Sequence, residues 1–244
     1  MKKKRITAAL LALGLSAVTI CSQLPVFATE ETAQATDTAA QPQTADPSVV
    51  TTNGIDGWPQ ASDISSTAAI VMETSTNTVL YSKNADQALY PASAVKVMTC
   101  LVALENSSLD DQVTMTATGV SGVTDGGANI SSQLDEVFTM EQCLYAIMVA
   151  SANDIALQVA EHVGGSVDAF VQTMNARAQE LGCTNTVFTN PTGLPDENQH
   201  ITAHDMALIM EAAMANDTFR TIAATTSYTL PATNVSGGER VLTN

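Results

Sequence analysis

The segment Ser93-Ala-Val-Lys-Val-Met-Thr-Cys-Leu-Val-Ala-Leu-Glu-Asn106 constrains the fold more than any other part of the chain. Ala94, Val95, Val97, Met98, Cys100, Leu101, Val102, Ala103 and Leu104 leave almost no polar face at helical spacing. A helix apolar all round is stable only when enclosed, so the other elements have to be wrapped around it. Lys96 is set inside this segment, where an unpaired charge is costly.

The surrounding sequence supplies elements of both kinds. Ala68–Glu73 and Thr78–Ser82 are short β-branched runs separated by Thr74-Ser-Thr-Asn77, which predicts a hairpin. Gln112–Thr118 reads as a short strand, Gly119–Asp135 as a Gly- and Ser-rich loop, and Thr225–Thr233 as a last strand. Thr139 with Gln142 three residues on is a capping box that opens a helix to about Ala150. A second helix follows from Asp154 to Val163 and stops at Gly164-Gly165. Ser166 caps a helix ending at Gly182, and Thr202 with Asp205 caps another reaching about Ala215. Helices enclosed by strands at both ends predict an α+β fold in which the terminal strands share one antiparallel sheet beside a helical cluster.

At 244 residues there is room for one ordinary domain and an appendage. Residues 1–28 read as a secretory signal: Lys2, Lys3, Lys4 and Arg5 precede an apolar run from Ile6 to Ile20, and Val26-Phe27-Ala28 offers a cleavage site. Cys21 does not fit a lipoprotein site, because Val18-Thr-Ile20 before it lacks small residues. Residues 29–57, rich in Thr, Ala, Gln, Pro and acid, have the composition of a disordered linker, and the folded part is expected over 58–244. No later stretch is long and apolar enough to span a membrane, so membrane association is not visible. Without the leader, Lys83, Lys96, Arg177, Arg220 and Arg240 are the five cations against 25 acidic residues. A chain so acidic is a poor partner for nucleic acid, which is bound by clustered Lys and Arg. Cys100, Cys143 and Cys183 are odd in number and widely spaced, which predicts buried free thiols and leaves a single disulfide open.

Two short motifs could carry chemistry. Ser93 and Lys96, three apart on a helix, share a face, so the lysine amine can lie against the hydroxyl. Serine needs a base to become a nucleophile, and a buried lysine held neutral can serve. The same two residues are equally compatible with a serine that caps the helix and a lysine that reaches solvent. Ser151-Ala-Asn153 sits at a break between two helices and could project a hydroxyl and an amide into a cleft. Its other reading is helix punctuation, with Ser151 ending one helix and Asn153 or Asp154 capping the next. His200 and His204 have the i, i+4 spacing of metal ligands, but His200 precedes the cap at Thr202 and no third ligand is evident. No metal and no cofactor are expected.

The order of these pieces resembles the D-alanyl-D-alanine carboxypeptidases, low-molecular-mass penicillin-binding proteins of the serine peptidase type. The matching stretches are Tyr90-Pro-Ala-Ser-Ala-Val-Lys-Val-Met-Thr99, Ser151-Ala-Asn-Asp154, Phe170–Asn175, Phe188-Thr-Asn-Pro-Thr-Gly-Leu194 and Ile201-Thr-Ala-His-Asp-Met-Ala207. The resemblance implies a β-lactamase/transpeptidase-like fold and an exported enzyme, active at the cell wall or the outer face of the cytoplasmic membrane. It implies peptidoglycan stem peptides ending in D-Ala-D-Ala as substrate and β-lactam antibiotics as covalent inhibitors. Carried over by position, Ser93 is the acylated nucleophile, Lys96 its base, Ser151 a proton relay and Asn153 a substrate-binding amide in the cleft.

The family also uses a Lys-Thr-Gly strand to form the far wall of the cleft, and Lys96 is the last lysine of this sequence. The expectation is therefore a copy truncated at its C-terminus, with its final strands missing. Expressed alone, such a chain is expected to fold poorly, to leave D-Ala-D-Ala peptides uncleaved and to bind penicillin unstably. One rival resemblance is a class A β-lactamase, which needs a deacylating glutamate that Phe188–Leu194 does not offer, and an aspartate where Ala152 stands. A rival from another class is a non-catalytic wall-binding module that keeps the fold.

Overall fold

A computed structural model describes residues 64–123 and 127–244. The expected signal (1–28), the linker (29–57), the first residues of the expected folded part (58–63) and three loop residues (124–126) lie outside the described residues. The described residues divide into two units, one ending at Ser82 and one running over Lys83–Asn244.

In the first unit, β1 (Ala69–Glu73) and β2 (Thr78–Lys83) form a two-stranded ladder. Glu73 closes the connection: its carboxylate accepts from the Ser75 and Thr76 backbone N–H groups and from both hydroxyls. These donors hold the Glu73 carboxyl down at about 2.

The second unit is built around α1 (Val95–Asn106), with Val95 to Ala103 buried without interruption, as an all-round apolar helix requires. Packed against α1 are α3 (Met140–Ala150), α4 (Asn153–Gly164), α5 (Val167–Glu180), α6 (Ala203–Met214) and α7 (Asp217–Ala223). Met98, Leu101 and Val102 are at most 2% exposed, and each such side chain contributes roughly 1.5–3 kcal/mol by leaving water. The caps are those the sequence predicts. Thr139 and Gln142 form a reciprocal capping box, and Ser166 and Thr202 accept from the third N–H of α5 and α6. Gly165, at φ 74°, ends α4 in the left-handed conformation.

Three features depart from the sequence reading. The strands form three two-stranded ladders among the described residues, where one shared sheet was expected. β3 (Gln112–Thr114) pairs antiparallel with β4 (Val137–Thr139), Val113 opposite Phe138. β5 (Ser227–Leu230) pairs with β6 (Arg240–Thr243), Tyr228 opposite Leu242. Each partner lies near in sequence, so the short ladders close locally. The expected strand over Gln112–Thr118 stops at Thr114, because the Thr116 hydroxyl accepts from Thr118 N–H and opens the short helix α2 (Ala117–Ser121). Finally, α7 was not foreseen. Its cap is Asn216, whose Oδ1 accepts from Thr218 and Phe219 N–H.

The connection from β5 to β6 is tied down by a buried ion pair. Glu136, fully buried, accepts from Arg240 Nη2 at 2.7 Å, from Thr233 Oγ1 at 2.6 Å and from Gln133 N–H at 3.0 Å. The Arg240 guanidinium also lies 5.7 Å from the Phe138 ring centre. Tyr228 of β5 stacks on Tyr145 of α3 with ring centres 3.9 Å apart, fixing the same ladder to the helical cluster.

Candidate active site

Ser93 lies in a single 3-10 turn, Ala92–Ala94, that leads into α1. The N-cap of α1 is Ala94 and makes no side-chain cap bond, so the Ser93 hydroxyl is not spent on capping. It meets two other polar groups instead: Lys96 Nζ at 3.4 Å and Ser151 Oγ at 3.2 Å. The alternative of a helix-capping serine and a solvent-reaching lysine is not what the structure shows: Ser93 does not cap α1, and Lys96 is buried.

Lys96 does not reach solvent, being 3% exposed. Its amine donates to the Thr192 carbonyl at 2.7 Å and to Ser93 Oγ. Burial pulls the amine down from 10.5 to about 8, while Cys100 one turn on pushes it the other way. Burial, with no neighbouring cation among the causes, is what brings the amine toward neutrality.

Ser151 closes α3 in the left-handed conformation at φ 54°, its N–H returning to the Ala146 carbonyl. Ala152 is then extended at ψ 110° and α4 begins at Asn153. That break swings the Ser151 hydroxyl toward Ser93. Neither Asn153 nor Asp154 caps α4; Ala152 does, without a side-chain bond. The Asp154 carboxylate holds the neighbouring loop instead, accepting from the N–H groups of Ile130 and Ser132 and from the Ser132 hydroxyl.

Asn153 is buried, and its N–H donates to the Ala128 carbonyl at 2.8 Å. Its Oδ1 is buried without a hydrogen-bond partner among the described residues. The Lys96 amine is held by Thr192 and Ser93 and not by the Asn153 amide. Its amide nitrogen packs against Gly127, where an added Cβ would stand 2.5 Å away.

The loop Phe188–Leu194 entered the sequence reading as a matching stretch and as one without a deacylating glutamate, and its hold on Lys96 was missed. Asn190 Oδ1 accepts from Thr192 N–H, Thr192 Oγ1 and Gly193 N–H, folding a tight turn that offers its carbonyls to α1. Gly193, at φ 82°, lies so close to the Ala92 carbonyl that a Cβ would stand 1.8 Å from its oxygen. The Asn-Pro-Thr-Gly run is a turn signal that could have located this feature, but nothing in sequence tells which helix it meets.

The remaining candidates lie elsewhere. His200 pairs in a bridge with Val187, and His204 Nδ1 lies 3.1 Å from Asp86 Oδ1. No group of three or more metal-ligating side chains occurs among the described residues. Cys100 and Cys143 are free and buried, with burial raising Cys100 to about 12 and Cys143 higher; Cys183 is free and half-buried.

Comparison with known proteins places this geometry. Residues 56–238 match the D-alanyl-D-alanine carboxypeptidase family. The D-alanyl-D-alanine carboxypeptidase DacF of Bacillus subtilis is 38% identical over 147 residues, covering 58% of this chain and 37% of its own. DacB2 of Mycobacterium tuberculosis is 36% identical over 180 residues, covering 72% of this chain and 58% of its own. The chain thus spans about a third to three fifths of the length of these relatives. Among solved structures, a D-alanyl-D-alanine carboxypeptidase from Mycobacterium tuberculosis superposes with TM-score 0.70 at 32% identity, covering 78% of this chain and 70% of that one. A mutant Streptomyces DD-transpeptidase gives TM-score 0.70 at 29% identity, covering 75% of each. These structures carry the penicillin-binding, transpeptidase-like α+β fold, and the chain belongs to the D-alanyl-D-alanine carboxypeptidase family.

Proposed function

We propose that the protein is an exported serine D-Ala-D-Ala carboxypeptidase, which removes the terminal D-alanine of peptidoglycan stem peptides through an acyl-enzyme on Ser93. The observation that carries this reading is the placement of Ser93 Oγ between a buried amine at 3.4 Å and a second hydroxyl at 3.2 Å. With the Lys96 amine near 8, roughly a tenth is neutral at pH 7 and able to accept the serine proton.

In the first step Ser93 Oγ attacks the carbonyl carbon of the penultimate D-alanine while its proton passes to Lys96. The tetrahedral adduct then collapses, the C–N bond breaks, and the departing D-alanine amine takes a proton from the Lys96 ammonium through the Ser151 hydroxyl. Water hydrolyses the remaining ester with Lys96 again as base, restoring Ser93. Asn153 Oδ1, without a partner among the described residues, is a ready acceptor for an N–H of the peptide. The fourth group in the family resemblance, a Lys-Thr-Gly strand that takes the substrate carboxylate, has no lysine to form it after Lys96. No residue here is assigned that part.

The stretch Phe188–Leu194 favours a peptidase over a β-lactamase: it presents the Thr192 carbonyl to the Lys96 amine and contains no acidic residue to activate a deacylating water. The test uses the product of the whole reading frame and a synthetic peptide ending in L-Lys-D-Ala-D-Ala. Release of one D-alanine per peptide, lost in Ser93→Ala, is expected. Rapid turnover of a chromogenic cephalosporin would give the β-lactamase reading instead. Peptidoglycan binding that survives Ser93→Ala, with no acyl adduct and no D-alanine release, would give a wall-binding module.

A further inference from the structure

Ser93, Lys96 and Thr99 recur every three residues and form one stripe on the segment leading into α1. The turn Pro191-Thr192-Gly193 runs along this stripe in the opposite sense. Thr99 Oγ1 donates to the Pro191 carbonyl at 2.7 Å, Lys96 Nζ donates to the Thr192 carbonyl at 2.7 Å, and Gly193 abuts the Ala92 carbonyl beside Ser93. Two successive carbonyls are thus captured by two side chains one turn apart. Thr99 is fully buried, and its other acceptor, the Val95 carbonyl of its own helix, is farther away at 3.5 Å.

The Asn190 side chain makes this turn rigid, so the Pro191 and Thr192 carbonyls move together. From this geometry we infer that Thr99 is a positioning residue: by holding the Pro191 carbonyl it keeps the Thr192 carbonyl on the Lys96 amine and the amine aimed at Ser93. Without the Thr99 hydroxyl the turn has one fewer attachment to α1, and a buried carbonyl is left to seek water. Hydration of the amine follows, and it regains the ammonium form favoured in water. The buried ionisable groups of α1, α4 and α6 do not substitute for this anchor. Cys100 is the titratable neighbour that acts on Lys96, Asp154 of α4 is committed to the loop amides of Ile130 and Ser132, and Asp205 of α6 to the N–H groups of Thr184 and Asn185.

The inference deepens the proposed acylation mechanism and rests on it only for its consequence in catalysis; its structural part is tested separately. In protein labelled with 13C at lysine Cε, the Lys96 resonance is identified by its loss in Lys96→Met and titrated in wild type, Thr99→Val and Thr99→Ser. Expected is a midpoint in Thr99→Val at least one pH unit above wild type, with Thr99→Ser close to wild type. Penicillin labelling of Ser93 at pH 7 then falls about tenfold in Thr99→Val, because the neutral amine falls about tenfold per pH unit, and its pH profile moves upward by the same interval. An unmoved midpoint in Thr99→Val, even with a lowered melting temperature, overturns the inference, as does a Thr99→Ser variant displaced as far as Thr99→Val. If the midpoint moves as expected but wild type forms no Ser93 adduct, the positioning role stands and the proposed acylation fails.

Discussion

Replacing Lys96 by methionine separates the cost of burying this amine from its use. The buried amine falls from 10.5 to about 8, which at about 1.4 kcal/mol per pH unit is a penalty of roughly 3 kcal/mol on the folded state at neutral pH. The lysine is 3% exposed, so solvent screening discounts little of it. Between pH 8 and 10.5 the unfolded chain binds more protons at this site than the folded one, so stability gains from this site as pH rises through that window. Lys96→Met removes the penalty but leaves the Thr192 carbonyl without its donor, which costs about 1–3 kcal/mol. At pH 7 the variant is therefore expected to lie between equal to wild type and about 2 kcal/mol more stable, despite losing the candidate base. The decisive quantity is the difference between the two proteins. Urea unfolding from pH 6 to 10 should show wild type gaining about 2.5 kcal/mol on Lys96→Met between pH 7 and 10, because every other titrating group largely cancels. A flat difference, or one that falls with pH, would refute the claim that burial governs this amine.

Three further substitutions probe the parts around it. Gly193→Ala forces a Cβ to within 1.8 Å of the Ala92 carbonyl at a backbone φ of 82°; a loss of several kcal/mol in unfolding free energy and of Ser93 labelling is expected. Ser151→Ala removes the hydroxyl 3.2 Å from Ser93 Oγ; D-alanine release should fall about 10²–10⁴-fold with the melting temperature nearly unchanged. Glu136→Gln leaves Arg240 without its buried counter-charge, and a loss of about 3–5 kcal/mol by chemical denaturation is expected.

The parts legible in the sequence were those fixed by local chemistry. Thr139, Ser166 and Thr202 announced their helices because a cap needs only a side-chain oxygen and an N–H two or three residues on. The burial of α1 followed from its composition, and the encounter of Ser93 with Lys96 from helical spacing. What could not be read depended on contacts distant in sequence. The Thr192 carbonyl reaches Lys96 across 96 residues and Arg240 reaches Glu136 across 104, and neither pairing leaves a trace in local pattern. The strand pairing was misjudged for a similar reason: alternation marks a strand but does not name its neighbour, and β5 closed on β6 nearby.

The most direct test of the account is to treat the product of the whole reading frame with benzylpenicillin, digest it and locate the adduct by mass spectrometry. The account predicts one penicilloyl group on Ser93, absent in Ser93→Ala, with a rate that rises as pH approaches 8 and Lys96 becomes neutral. An adduct on another residue, or labelling by wild type that is unchanged in Ser93→Ala, would contradict it.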